Sequence, residues 1–337
     1  MSNGISSPEG SPSSDRGASS DSVVRWPMAE ARVAELIARI QPTTRAEERR
    51  LAVSEYVTRL ISRCFDCQVF MFGSVPLKTY LPDGDIDLTA FSRGLAVNDA
   101  WVHDVQAILK REERNADALF QVKEVQYIHA EVKLIKCLVQ NIVVDISFNQ
   151  LGGLCALGFL EEVDALIGRN HIFKRSIILV KAWCYYESRI LGAHHGLIST
   201  YGLETLVLYI FHVFHKELPS PLHVLVKFLE VFSKFDWEQF CLSLKGPVPL
   251  SSLPTMLAER PGGVDDLLLT DEFLAACYAK YSLSPMVQAG QSRPFMVKFL
   301  NIIDPLLDNN NLGRSVSKVF LPSTPVAVFT MLALYPS

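Results

Sequence analysis

The sequence predicts an α+β protein in two unlike parts: a mixed sheet with flanking helices, then a mainly helical half. Three observations carry this. At 337 residues the chain exceeds what one core usually organises. Between residues 68 and 148, short β-favouring apolar runs alternate with helical patterns. Beyond about residue 160 helical periodicity dominates, punctuated by Pro219, Pro221, Pro247, Pro254 and Pro261.

The elements follow in order. Residues 1–27 are rich in Ser, Gly, Pro and Asp and read as a disordered tail, because they offer too little apolar surface to offset ordering entropy. Val33, Leu36, Ile37 and Ile40 then mark one face of a helix over 28–41, expected to pack on the helical half and stopped by Pro42. Thr44 and Glu47 form a capping-box pattern opening a helix over Arg45–Arg63. Gln68–Phe72 reads as a strand ended by Gly73-Ser74, and Asp85–Ala90 as a second strand. Asn98 or Asp99 caps a helix reaching Arg114, and Phe120–Ile128, Glu131–Val139 and Ile142–Phe148 complete a first domain over 28–160. Helices over Phe173–Arg189, Thr200–His215, Leu222–Phe232 and Asp271–Tyr281 populate a second domain over 161–318. Residues 319–337 are apolar and proline-broken, an atypical tail.

Composition narrows the class. Apolar residues make up 49% and charged residues 20%, as in globular chains, and the net charge of −4 gives no strongly basic surface. Seven cysteines are scattered, and Cys64/Cys67 has no second CxxC, so buried thiols in a reducing compartment are expected rather than structural zinc. The first residues lack a signal-like apolar stretch, and runs such as Leu203–Phe214 and Val326–Tyr335 are too short to cross a bilayer. The expectation is nucleus or cytoplasm, neither secreted nor membrane-bound.

The sharpest pattern is Gly73-Ser74 followed by Asp85-Ile86-Asp87-Leu88. Residues two apart on a strand share a side, so Asp85 and Asp87 aim their carboxylates together. A third acid, Asp145, stands in the equivalent apolar setting of Val143-Val144-Asp145-Ile146-Ser147. Converging carboxylates repel unless a hard cation lies between them, which suits Mg²⁺, with Mn²⁺ able to replace it. Three such acids can hold two metal ions for phosphoryl transfer, and a Gly-Ser turn lets backbone N–H groups approach phosphate. A lone DxD is usually a solvated turn; the combination across three strands is what points to a site.

This arrangement resembles the nucleotidyltransferase superfamily of DNA polymerase β, and within it the non-canonical poly(A) and poly(U) polymerase branch, of a plant-type group. The resemblance covers roughly residues 45–318. It implies a polymerase β-like catalytic domain followed by a PAP/OAS1-like nucleotide- and RNA-binding domain. Asp85, Asp87 and Asp145 take the metal-ligand positions, Asp145 also that of the general base, and Gly73 and Ser74 match the triphosphate turn. Leu179-Val180-Lys181-Ala182-Trp183 is similar to the helix whose lysine meets the triphosphate, although Tyr185 stands where a second basic residue often sits. Ser199-Thr200-Tyr201 resembles the helix start whose tyrosine stacks on the base. Asp304 to Arg314 looks like the nucleotide recognition motif, which brings in Asn310, Asn311 and Arg314. Several uridylyltransferases of the branch carry histidine at the Asn310 position. An asparagine amide can instead pair with adenine, so ATP is favoured over UTP.

The implied function is addition of nucleotides to RNA 3′ ends, with NTP and RNA as partners and a separate RNA-binding protein choosing the substrate. Two alternatives stay open: a nucleotidyltransferase acting on a non-RNA acceptor, and a catalytically silent RNA-binding relative. His194-His195 reads as a loop, and Lys110, Arg111 and Arg114 as a solvated helix face.

Overall fold

The computed structural model describes residues 20–63, 66–92, 101–129, 132–253, 258, 266–282 and 294–317. The tail over 319–337, Cys64, the caps at Asn98 and Asp99, and residues 1–19 lie outside them.

Helix α1 spans Ser20–Ile40, with Pro27 inside it, so residues 20–27 are helical and not part of a disordered tail. Polar composition hid what tertiary contact supplies. The Trp26 ring meets His223 edge-on at 4.9 Å, and Glu30 accepts a 2.7 Å hydrogen bond from the Ser220 hydroxyl. Further along, Ile40 packs with Leu81, Ile178 and Ala182, so α1 does lie on the helical half. Helix α2 spans Thr44–Ser62. Its N-cap is Thr43, whose hydroxyl accepts from the Ala46 N–H, one residue before the capping box read from the sequence.

Strand β1 (Cys67–Phe72) leads through the one-turn helix α3 (Ser74–Leu77) to β2 (Ile86–Ser92). Helix α4 (Trp101–Glu113) precedes β3 (Val122–Ile128), β4 (Leu134–Val139) and β5 (Ile142–Phe148). The sheet order is β1-β2-β5-β4-β3, antiparallel except for the central β2–β5 pair. Between β4 and β5, Gln140 (φ 52°) and Asn141 (φ 60°) make a two-residue turn with both φ positive, the hairpin geometry that matches strand twist. One sheet face carries Ile86, Leu88, Val144 and Ile146 into a core shared with Val53, Val57 and Ile61 of α2 and Val105 and Leu109 of α4.

A second core begins with α5 (Leu151–Ile167), a helix the sequence reading passed over. Gly152, Gly153 and Gly158 suppress its helical signal. Helix α6 (Ile172–Ala182) ends where a π-helical turn, Trp183–Glu187, begins, short of the expected Arg189. Helices α7 (Thr200–Phe214), α8 (Pro221–Lys234) and α9 (Asp271–Tyr281) follow. Two small hairpins were also missed: β6 (Phe240–Ser243) with β7 (Gly246–Pro249), and β8 (Ile303–Asp304) with β9 (Leu307–Asn311). The core packs Phe173, Phe211, Phe228, Phe232 and Trp237. No helix among the described residues is long and apolar enough to cross a membrane.

Candidate active site

The β2–β5 register makes Asp87 and Asp145 direct cross-strand partners. Their neighbours Ile86, Leu88, Val144 and Ile146 enter the helix-covered core, so alternation turns both acids to the opposite sheet face. Asp85, expected to open the strand Asp85–Ala90, instead stands one residue before β2, at the end of a loop, so strand alternation does not set its direction. Buried Arg50 of α2 fixes that loop: it donates to Pro82 O at 3.1 Å and Gly84 O at 2.9 Å, and lies 4.2 Å from the Tyr80 ring centroid. As a result carboxylate oxygens of Asp85, Asp87 and Asp145 lie within 4.8 Å of one another.

Crowding has an electrostatic signature. Burial first, then the charges of Asp85 and Asp145, push the Asp87 carboxyl well above the usual range, while Lys181 and Lys136 oppose the shift. Three hard oxygen donors that repel one another suit a divalent cation, so these residues fit the metal the sequence implied. Lys136 was missed. It faces Asp145 across the β4–β5 ladder and sits 2.6 Å from Asp145 Oδ1 and 2.8 Å from Oδ2. Its signal was one lysine inside the apolar strand Leu134-Ile135-Lys136-Cys137-Leu138.

Gly73 is required on two counts. Its φ is +74°, and a Cβ there would lie 2.5 Å from Asp87 Oδ2. The glycine thereby brings backbone against the acids, and the Thr79 N–H, donating to Ser74 O at 2.9 Å, closes the turn behind it.

The acids open into a cleft of about 850 Å³ between the sheet and the helical core. Gly73, Ser74 and the three aspartates border it on one side, with Lys181, Tyr201 and Asn310 on the other. Tyr201 donates its hydroxyl to Asp304 Oδ1 at 3.2 Å. Asn310 Nδ2 donates to Asp304 Oδ2 at 2.7 Å, and the Leu306 N–H to Oδ1 at 2.9 Å. Burial raises the Asp304 carboxyl, and these three donors counter it. Arg314 Nη1 donates to Asn310 Oδ1 at 2.8 Å, so both ends of the Asn310 amide are oriented.

Three residues expected to bind nucleotide do not border the cleft. Ser199 is the N-cap of α7, accepting from the Gly202 N–H and donating to Leu312 O. Asn311 is buried, donating to Met296 O, Leu300 O and Asn301 Oδ1 and accepting from the N–H groups of Ile302 and Gly313. Arg314 acts on Asn310 from outside. In each case a short polar motif serves backbone satisfaction first. His195 borders the cleft from a 3₁₀ turn over Ala193–His195, as does exposed Tyr185. Lys110, Arg111 and Arg114 are exposed.

Two family models cover most of the chain. Residues 30–160 match the mitochondrial-like poly(A) RNA polymerase central palm domain, and residues 167–327 the PAP/OAS1 substrate-binding domain. The chain is 28% identical over 218 residues to poly(A) RNA polymerase CID14 of Cryptococcus neoformans, covering 61% of this chain and 27% of that protein. It is 25% identical over 225 residues to poly(A) RNA polymerase gld-4 of Caenorhabditis elegans, covering 62% and 25%. The aligned part thus spans about a quarter of these curated relatives. In fold it is similar to Cid1 solved with the UTP analog UMPNPP, with a TM-score of 0.61, 18% identity, and 92% and 94% of the two chains covered. In chain order, then, this protein joins a central palm domain like that of mitochondrial-like poly(A) RNA polymerases to a PAP/OAS1 substrate-binding domain.

Proposed function

We propose that this chain is a Mg²⁺-dependent RNA 3′-terminal nucleotidyltransferase that prefers ATP to UTP. The observation that carries it is the meeting of Asp85, Asp87 and Asp145 at one end of the cleft, with the glycine turn against them.

In this reading the acids hold divalent ions. When bound, these supply the positive charge that activates the attacking hydroxyl and neutralises the leaving group. The chain's own residues do the rest. Gly73 and Ser74 receive the triphosphate, Lys181 meets its charge, and the Tyr201 ring gives the base an apolar face that accepts any base. The RNA 3′ oxygen forms a bond to the α-phosphorus, its proton passes to Asp145, and the bond to the β-phosphate oxygen breaks, releasing pyrophosphate. Lys136 steadies the Asp145 carboxylate for that role. Asn310, with its amide held by Arg314 and Asp304, presents a donor and an acceptor edge that suits adenine. We place catalysis in residues 28–160 and nucleotide recognition in 161–318.

Primer extension on labelled oligo-RNA with each NTP separately, with Mg²⁺ and with chelator, tests the reading. The expected result is metal-dependent extension, strongest with ATP. Extension unaffected by chelator, or joining of free nucleotides with RNA ignored, overturns it.

A further inference from the structure

Lys181 is not free to wait for a phosphate. Its ammonium is buried, donates to Thr79 O at 3.2 Å and lies 3.9 Å from Glu204 Oε1, and Thr79 Oγ1 donates to that same oxygen at 3.3 Å. Three elements meet here: Lys181 comes from α6, Glu204 from α7, and Thr79 from the loop behind the Gly73-Ser74 turn. All three residues are at least nine-tenths buried, and Lys181 and Glu204 both border the cleft.

Glu204 is the single charged residue in a largely apolar stretch of helix, Leu203 to Phe211. A buried carboxylate costs desolvation, and exchanging a whole buried ion pair for apolar groups is often neutral for stability. Fold stability alone therefore gives no reason for keeping the Lys181–Glu204 pair here. The position of Glu204 does, because it presents a negative charge to the ammonium that faces the incoming polyphosphate.

We propose that Glu204 is a positioning residue: an internal counter-ion that holds Lys181 beside the glycine turn and competes with the substrate's phosphates for it. This rests on the nucleotidyltransferase reading above. The competition loosens the grip on both NTP and pyrophosphate, trading binding strength for release of product. Thr79 makes the hold directional, since its carbonyl and hydroxyl fix both partners and its N–H ties them to Ser74.

The test is binding of a nucleoside 5′-(α,β-imido)triphosphate with Mg²⁺ to the whole chain, by calorimetry, alongside inhibition of extension by pyrophosphate. E204Q keeps an oxygen for the Thr79 hydroxyl and removes the charge. Both Kd for the analogue and Ki for pyrophosphate should fall about tenfold, with kcat lowered because product leaves more slowly. In a K181M background the same substitution should change neither, which a cost of misfolding would not reproduce. E204L, whose melting temperature reports folding, should show the same tightening. Wild-type and E204Q proteins binding equally, or a gain that survives loss of Lys181, overturns the inference alone. No binding by the wild type overturns the nucleotidyltransferase reading and this one with it.

Discussion

The two walls of the cleft are built by different physics. On the sheet side, backbone register sets the chemistry: Asp87 and Asp145 are register partners of the parallel β2–β5 ladder, and their apolar flanks fix which way they face. On the helical side, side chains set each other. Asp304 gathers Tyr201, Asn310 and the Leu306 N–H, and Arg314 holds the far end of Asn310. A ladder tolerates loss of a side chain without moving, whereas a network loses its geometry with any member. Substitutions on the sheet wall should remove chemistry and spare the fold; those on the helical wall should shift affinity, base choice and stability together.

The sharpest trial of that contrast is Asp87→Asn. Incorporation should fall by about a thousandfold, the scale of losing a central charge in a preorganised site. The melting temperature should hold or rise, because the repulsion of a half-buried carboxylate by Asp85 and Asp145 is relieved. A large drop in melting temperature would break the comparison.

Acid should strike the helical half. Burial first, then His215, lowers the imidazole of His212 to about 4, and its Nδ1 accepts from the Leu269 N–H at 3.1 Å. Below about pH 6.5 the unfolded chain takes up this proton while the folded chain does not, so stability falls as pH drops from about 6.5 towards 4. The loss is at most about 3 kcal/mol. Urea unfolding of wild type and His212→Gln across that window should converge as pH falls; parallel curves would assign the loss elsewhere.

Smaller effects follow. Gly73→Ala meets a positive φ and Asp87 Oδ2, so it should cost about 1–2 kcal/mol and most of the activity, read from melting and extension together. Tyr201→Phe keeps the ring and removes one donor to Asp304, about 1 kcal/mol, with a modest rise in KM. Arg314→Ala, away from the cleft, should change the ATP:UTP ratio by only about threefold, roughly half a net hydrogen bond. An unchanged ratio would detach Arg314 from base choice.

What could be read from the sequence divides along the same line. Asp87 and Asp145 stood out because a charged residue among strand apolars is a local signal, and register then brings them together; Asp85 stood out by its spacing from Asp87, and the loop held by Arg50 brings it to them. Lys136 and Glu204 carried the same kind of signal, one charge in an apolar element, yet without a recognisable partner in sequence they read as noise. Their meaning appears only when β4 meets β5, or when α7 meets α6. Ser199 and Asn311, expected at the nucleotide, are the opposite case: they stand outside the cleft lining and bond backbone groups. A polar motif beside a site looks like ligand chemistry, but a helix start and a tight hairpin demand the same residue types. Helix α5 was hidden by its glycines, and the start of α1 because Trp26 finds its partner, His223, only in α8.

The turn at Gln140-Asn141 has a consequence for how this gene can vary. It holds β4 and β5 at a fixed offset, which sets Lys136 opposite Asp145 and hands Asp145 to β2 beside Asp87. One inserted codon there would force a bulge or slide β5 by a position, sending the third acid into the apolar layer and an isoleucine or valine out into the cleft. Length changes at this hairpin should therefore be as damaging as losing an aspartate, although neither Gln140 nor Asn141 borders the cleft.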